Sequence, residues 1–115
     1  MDNNCTIFRT ADFIGKKWTL LILLELHKGK NEYKRFNELK RNLKGITAKV
    51  LSLRLKELES EELIISKKND ESSEYSLSVS GKEFIKIIQD MKKWALENKF
   101  KNKICEYNNC KNCEI

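Results

Sequence analysis

The four cysteines are the side chains of this sequence best suited to chemistry. Three of them, Cys105, Cys110 and Cys113, form a C-x4-C-x2-C pattern near the end of the chain, and Cys5 lies near its start. Lysines and asparagines surround the three, so no apolar core is at hand to bury them. Clustered cysteines in intracellular proteins bind metal or carry out redox chemistry more often than they form structural disulfides.

Thiolates at this spacing suit either an iron–sulfur cluster or tetrahedral zinc. A thiol–disulfide switch and cysteines without a role in a loose tail are the alternatives. An oxidoreductase using Cys110-Lys111-Asn112-Cys113 needs a helix N-terminus to activate its thiol, and the residues that follow are too few to form one. Because the sequence also has no Ser/His/Asp set, paired-carboxylate site or glycine-rich phosphate loop, we expect no enzyme and infer no small-molecule substrate.

Length and composition indicate one folded domain. The chain has 115 residues, 40% of them hydrophobic and 35% charged, which excludes a disordered chain. The longest apolar run, Leu20 to Leu24, is far shorter than the roughly 20 residues of a membrane span. The first residues lack the basic start and apolar stretch of a signal peptide. We therefore expect a soluble, cytoplasmic protein, and the absence of proline favours helices.

The positive charge is concentrated in one segment. The net charge of the chain is +6, but residues 28 to 56 alone sum to +8, with ten basic and two acidic side chains. An excess of this size is typical of a surface that binds a polyanion. A lysine-rich face that only contacts solvent is the alternative.

The same segment predicts a helix-turn-helix. Residues 6 to 14 and 18 to 26 are expected to form two helices, the second of them buried. Phe36, Leu39 and Leu43 then mark a short helix opened by Asn37, and a turn containing Gly45 leads to a helix over residues 48 to 60. Thr47 is a suitable N-cap for that helix.

Helix 48–60 has two distinct faces. Leu51, Leu55 and Leu58 fall on one side and should enter the core. The opposite side carries Lys49, Ser52, Leu53, Lys56 and Ser60. A helix with short polar and basic side chains on its outer face can enter a DNA major groove. An ordinary amphipathic surface helix has the same pattern, so this face alone does not decide the function.

A hairpin and a long helix complete the predicted fold. Residues 64–68 and 74–77 read as two strands joined by an acidic link, which makes a wing whose Lys67 and Lys68 are placed to reach phosphates. A long helix is predicted to start near Ser78 or Ser80 and to run to about Phe100, and Ser80 and Glu83 have the spacing of a capping box. We expect its apolar stripe to mediate dimerisation. The prediction is a mainly α (α+β) winged helix-turn-helix domain over residues 1–100, with a two-stranded wing, and a cysteine-rich tail over residues 101–115.

Several motifs in this order resemble the HxlR family, a branch of the MarR-like winged-helix transcriptional regulators. The similarity extends from residue 5 to about residue 95. The matching stretches are Ile14-Gly15-Lys16-Lys17-Trp18-Thr19-Leu20-Leu21-Ile22-Leu23, Arg35-Phe36-Asn37-Glu38-Leu39, Gly45-Ile46-Thr47-Ala48-Lys49-Val50-Leu51-Ser52, Leu55-Lys56-Glu57-Leu58-Glu59, Leu63-Ile64 and Glu74-Tyr75-Ser76-Leu77-Ser78 with Gly81.

The resemblance implies a homodimer, built from the first and last helices, that binds double-stranded DNA. Carried over by position, the base-facing candidates are Thr47, Ala48, Lys49, Ser52, Leu53 and Lys56, and the further DNA-binding candidates are Arg35, Lys67 and Lys68. If the first and last helices pack together, Cys5 comes close to the tail. It would then complete a four-cysteine metal site with Cys105, Cys110 and Cys113, within one subunit or across the dimer.

The resulting functional prediction is a dimeric, sequence-specific transcriptional regulator that responds to redox state or iron through its cysteines. We favour an iron–sulfur cluster over zinc, because a regulator gains a redox or oxygen signal from it. The alternative is a winged-helix protein-interaction module with a structural, zinc-pinned tail, favoured by the apolar Leu53 on the outer face. The single histidine, His27, ends a helix and is predicted to interact with its dipole rather than to bind metal.

Overall fold

The computed structural model describes residues 2–68, 72–107 and 109–113, without the side chain of Tyr107. The predicted acidic tip of the hairpin, residues 69–71, lies outside the described residues. The elements are α1 (Thr6–Ile14), α2 (Lys17–His27), β1 (Tyr33–Arg35), α3 (Phe36–Asn42), α4 (Ala48–Ser60), β2 (Ile64–Lys68), β3 (Ser73–Leu77), α5 (Val79–Asn98), α6 (Lys103–Tyr107) and a 3-10 turn at Cys110–Asn112, called the C-terminal turn below.

Helix α2 is the centre of the core. Its Ile22 and Leu23 are fully buried, and α1, α3, α4 and α5 all pack against this helix. A helix that is apolar nearly all round buries its side chains only when other elements surround it, as they do here. Mostly helical architecture with a helix-turn-helix and a β-hairpin confirms the predicted winged-helix fold class.

The sheet has three strands: β2 and β3, which form the predicted two-stranded wing, and β1, which was not predicted. Its order is β1-β3-β2 with antiparallel pairing throughout, and Arg35 of β1 and Lys67 of β2 both lie opposite Glu74 of β3. Strand β1 was missed because its sequence, Tyr33-Lys34-Arg35, is short and lacks the apolar alternation of a half-buried strand.

The start of α3 differs from the predicted one: Arg35, rather than Asn37, precedes α3, and its side chain makes no capping bond. Of the two starts predicted for α5, the structure has Ser78, not the capping box at Ser80. The Ser78 hydroxyl accepts from Gly81 N at 3.0 Å and donates to Glu62 O at 2.7 Å. Gly81 lies against the chain before β2, where a Cβ atom would come within 2.1 Å of Leu63 O.

We expect Ser78→Ala to lower the free energy of unfolding by about 1–2 kcal/mol, because it removes an N-cap and a bond to Glu62 O. Ser80→Ala is the matched control and should change stability by less than about 0.5 kcal/mol, since Ser80 is exposed. Urea unfolding of both variants measures the difference. Equal losses would show that the capping assignment is wrong.

The residues after α5 turn back toward α2. The Gly29 N–H, just beyond the end of α2, donates to Lys111 O in the C-terminal turn at 2.8 Å. The tail is therefore in contact with the helical domain, and its separation as residues 101–115 stays a prediction. Among the helices that the structure describes, none has the length and apolar composition needed to cross a membrane.

Candidate nucleic-acid interface

Helix α4 is fixed firmly on its inner side. Leu51, Leu55 and Leu58 are at most 2% exposed, as their spacing predicted. At its start, the Thr47 hydroxyl accepts from Val50 N at 3.1 Å, which confirms Thr47 as the N-cap. The helix thus has a rigid base from which its other face can bind a ligand.

The outer face of α4 brings together the predicted base-facing residues. Thr47, Ala48, Lys49, Leu53 and Lys56 are all exposed, and Ser52 beside them is half-buried. We call these six residues the α4 outer face. Leu53 is 50% exposed, which leaves its side chain free to contact a thymine methyl group.

An ion-pair cluster flanks this face, and the sequence analysis did not predict it. Glu57 accepts from Arg54 at 3.3 Å and from Lys16, the residue before α2, also at 3.3 Å. The cluster links the start of α2 to α4 and holds the Arg54 side chain, which is mostly buried, toward the protein. The i, i+3 spacing of Arg54 and Glu57 was the only signal in the sequence.

The predicted wing residues lie on the sheet. Arg35 is exposed but is held by Ser72 Oγ at 2.9 Å and by Glu74 at 3.5 Å. A phosphate would therefore have to compete with Glu74 for this guanidinium. Lys67 and Lys68 are exposed on β2, at the end of the strand that leads to the hairpin tip.

The ten basic side chains in residues 28–56 are not all on the surface, which corrects the charge prediction: Arg54 is mostly buried, and Lys34 is buried. Lys34 is 6% exposed, and its ammonium pairs with Glu25 Oε2 at 3.0 Å and donates to the backbone oxygens of Glu25 and Lys28. Asn42 donates to the same Glu25 oxygen at 3.0 Å. This Lys34–Glu25–Asn42 network ties the end of α2 to β1 and α3.

The four cysteines are free thiols and are partly buried. Cys105 and Cys110 line one cavity of about 550 Å³ against α5, whereas Cys113 lines another of about 530 Å³ that includes Glu25 and Asn42. Cys5 immediately precedes α1. Nowhere in the described ranges do three His, Cys, Asp or Glu side chains lie close enough together to hold a metal ion.

His27 is in the last turn of α2, as predicted, and its interaction with the helix dipole stays a prediction. Burial lowers its pKa below the usual 6.5, and the nearby Lys111 and Lys34 lower it further. The neutral imidazole is therefore the main form near pH 7. Because the folded state disfavours the proton, this group removes stability as the pH falls below 6.5 toward its folded pKa.

Since Lys111 is in the C-terminal turn, the titration of His27 reports whether that turn is docked. We expect the NMR midpoint of this single histidine to lie below 6.5 and to rise in Lys111→Gln, without reaching 6.5, because burial remains the larger cause. Lys101→Gln is the control with the same change in charge. An unchanged midpoint in Lys111→Gln would contradict docking of the turn.

A helix-turn-helix followed by a β-hairpin, with a basic and solvent-exposed face on its second helix, defines a winged helix-turn-helix protein of the DNA-binding class. The sequence profile of the HxlR-like helix-turn-helix family matches residues 13–103. The chain therefore belongs to this family, which confirms the resemblance seen in its motifs.

Individual relatives agree. The chain is 41% identical to the MalR protein of Fusobacterium mortiferum over 97 residues, 82% of this chain and 90% of that protein. The reduced form of the transcriptional regulator YodB from B. subtilis is 30% identical, with a TM-score of 0.71 over 91% of this chain and 98% of that one. The redox regulator HypR in its oxidised form is 32% identical, with a TM-score of 0.71 over 84% and 99%. The family comprises transcriptional regulators that bind DNA, not enzymes.

Proposed function

We propose that two copies of this chain form a transcriptional regulator that reads duplex DNA with their α4 helices, and that the cysteines control this binding. The observation that carries the proposal is the α4 outer face, which presents two lysines, two hydroxyls and Leu53 on a helix anchored by buried leucines. Lysines neutralise phosphates, and short polar and apolar side chains read base edges. Such a regulator acts where the chromosome is, in the cytoplasm.

An apolar stripe on α5 supports dimerisation. Ile87, Met91 and Trp94 fall at i, i+4 and i+7 on this helix and are 48–58% exposed, and Ile7 and Phe8 of α1 are exposed as well. Monomeric soluble proteins rarely expose apolar stripes of this kind, so we expect a second copy of the chain to cover this one. Sedimentation equilibrium should give a dimer for the wild type and a monomer for Trp94→Glu, whereas Lys99→Glu should stay dimeric.

An iron–sulfur cluster, with zinc as the alternative, stays our proposal for the cofactor. It is supported by the number and type of thiols: Cys5, Cys105, Cys110 and Cys113 would be the ligands. As arranged in the described residues the four do not fit such a group, so its binding would require the tail to rearrange. Anaerobic purification with an absorption spectrum and metal analysis separates iron with sulfide, zinc and a metal-free protein.

The similarity to YodB and HypR supports control by thiol chemistry in a general way. The solved structures of those two proteins are described as reduced, quinone-bound, diamide-treated and oxidised forms. This chain shares their fold and carries four partly buried free thiols of its own.

The DNA-binding proposal is tested by selection from a randomised duplex library with the reduced protein. We expect a consensus made of two half-sites. The protein should bind it at least about 1,000-fold more tightly than a scrambled duplex, which is the specificity ratio typical of such regulators, and its affinity should fall steeply with salt. Equal binding to both duplexes would refute sequence-specific control. If the protein bound no DNA but bound another protein through Leu53, the result would favour the alternative, a protein-interaction module.

A further inference from the structure

Three charged side chains form a row across the sheet, where the wing meets the helix-turn-helix. Arg35 of β1, Glu74 of β3 and Lys67 of β2 lie directly opposite one another in the strand register. Residues paired in this way point to the same face of a sheet. Lys34, the neighbour of Arg35, is buried, so the alternation of side chains along a strand places Arg35 and its partners on the outer face. We call these three residues the charged row.

Glu74 is the central and least accessible member of the Arg35–Glu74 pair. Its side chain is 16% exposed, whereas that of Arg35 is 51% exposed. Arg35 Nη2 donates to Glu74 Oε1 at 3.5 Å, and Arg35 Nη1 donates to Ser72 Oγ at 2.9 Å. Both terminal nitrogens of the guanidinium therefore have a partner within the protein. Since Lys67 lies on the other side of Glu74, one carboxylate stands between the two cations of the row.

The position of the charged row brings it close to a bound duplex. Arg35 directly precedes α3, the first helix of the helix-turn-helix, and Lys67 is on the strand that leads to the hairpin tip. In helix-turn-helix complexes the first helix crosses the phosphate backbone while the second enters the major groove. Phosphates that approach the two cations therefore also approach the Glu74 carboxylate, which repels them.

We propose, on the basis of the proposed function, that Glu74 limits the affinity of the regulator for DNA by holding Arg35 and by repelling the phosphates that approach Arg35 and Lys67. The wing then contributes fewer phosphate contacts than its cations alone would make. A larger share of the binding free energy comes from the α4 outer face, which is the surface that reads bases. Because phosphate contacts carry no sequence information, Glu74 lowers the affinity for every duplex alike.

Glu74→Gln tests this role, since it removes the charge and keeps a side-chain oxygen that can accept from Arg35. The reduced full chain should bind the library-selected duplex and a scrambled duplex each about tenfold more tightly, roughly threefold per subunit, as expected for releasing one surface ion pair in each. The slope of log affinity against log salt should become steeper by about 1.8, which is 0.9 for each Arg35 of the dimer.

Glu106→Gln is the matched control and should give no gain. It changes the net charge by the same amount at an exposed residue that lies against the second half of α5. A second comparison tests whether Glu74 acts through Arg35. The gain from Glu74→Gln should largely disappear when Arg35→Gln is also present, but it should persist with Arg41→Gln, which removes an exposed arginine of α3 instead.

Weaker DNA binding by Glu74→Gln would overturn the proposal, because it would show that the carboxylate places Arg35 for a phosphate contact. An equal gain from Glu106→Gln would also overturn it, and so would a gain that Arg35→Gln leaves unchanged.

Retention on heparin, a polyanion without base sequence, separates this inference from the proposed function. Glu74→Gln should elute at higher salt than the wild type and Glu106→Gln, and elution together with the wild type would contradict the role of Glu74. If the wild type bound the selected and scrambled duplexes equally, sequence-specific control would fail while the heparin result still decided the role of Glu74.

Discussion

Replacing Lys49 and Lys56 together by glutamate should weaken binding to the library-selected duplex by about 100-fold. Both lysines are exposed on the α4 outer face, in the first and third turns of the helix. Reversing their charge replaces two attractions to the phosphate backbone with two repulsions in each subunit. The slope of log affinity against log salt should also fall by about 3.6, which is 0.9 for each of the four phosphate contacts that the dimer loses.

The control for this variant is Lys99→Glu combined with Lys101→Glu. It changes the net charge by the same amount at two exposed lysines beyond α5. If DNA binding depended only on net charge, the two double variants would lose affinity equally. A loss confined to the Lys49 and Lys56 variant locates the binding surface on α4, and equal losses would contradict it.

Lys34→Met should lower the free energy of unfolding by about 3–5 kcal/mol and the melting temperature by about 10–20 °C. The substitution leaves the Glu25 carboxylate buried without its cation, and two carbonyl oxygens at the end of α2 lose the hydrogen bond from the ammonium. Because Glu25 also accepts from Asn42, the damage should reach the contact between α2 and α3. Calorimetry of the wild type and the variant measures the effect.

Lys30→Met is the matched control, since Lys30 is exposed on the loop that leads to β1, and it should leave the melting temperature nearly unchanged. Adding Glu25→Gln to Lys34→Met should recover part of the loss, because the unpaired buried charge disappears. Equal melting temperatures for Lys34→Met and Lys30→Met would show that the buried pair does not stabilise the fold.

The sequence predicted those features that depend on helical periodicity. The leucines of α4 recur at helical spacing, and their burial automatically exposes Lys49, Leu53 and Lys56 on the opposite side. The Thr47 cap depends on a neighbour three residues away and was equally readable. Local pattern was therefore sufficient to identify the recognition helix.

Features that depend on distant partners were not predictable in this way. Lys34 looked like one more surface lysine because its ion-pair partner Glu25, which also accepts from Asn42, is brought to it only by the packing of α2 against β1 and α3. Ser78 and Ser80 are both reasonable caps for α5, and the choice depends on Glu62 O, which lies across the fold. The placement of the tail cysteines in two cavities likewise depends on a distant contact, the hydrogen bond from Gly29 N to Lys111 O.

The tail gives this chain cysteines, which the helix-turn-helix itself lacks. Its docking site is the end of α2, and α2 contacts α3, α4 and α5. A chemical change in the tail thus acts on the helix that supports both the DNA-reading and the dimerising elements. We expect the regulator to be sensitive to tail chemistry for this reason, whichever cysteine reaction operates.

The central claim, that α4 of each subunit lies in a major groove, is tested most directly by dimethyl sulfate footprinting on the selected duplex. Guanine N7 faces the major groove and adenine N3 the minor groove. We predict two clusters of protected guanine N7 atoms whose centres are about 10 base pairs apart, one for each subunit. Protection of adenine N3 alone, or one cluster without a second, would contradict the account.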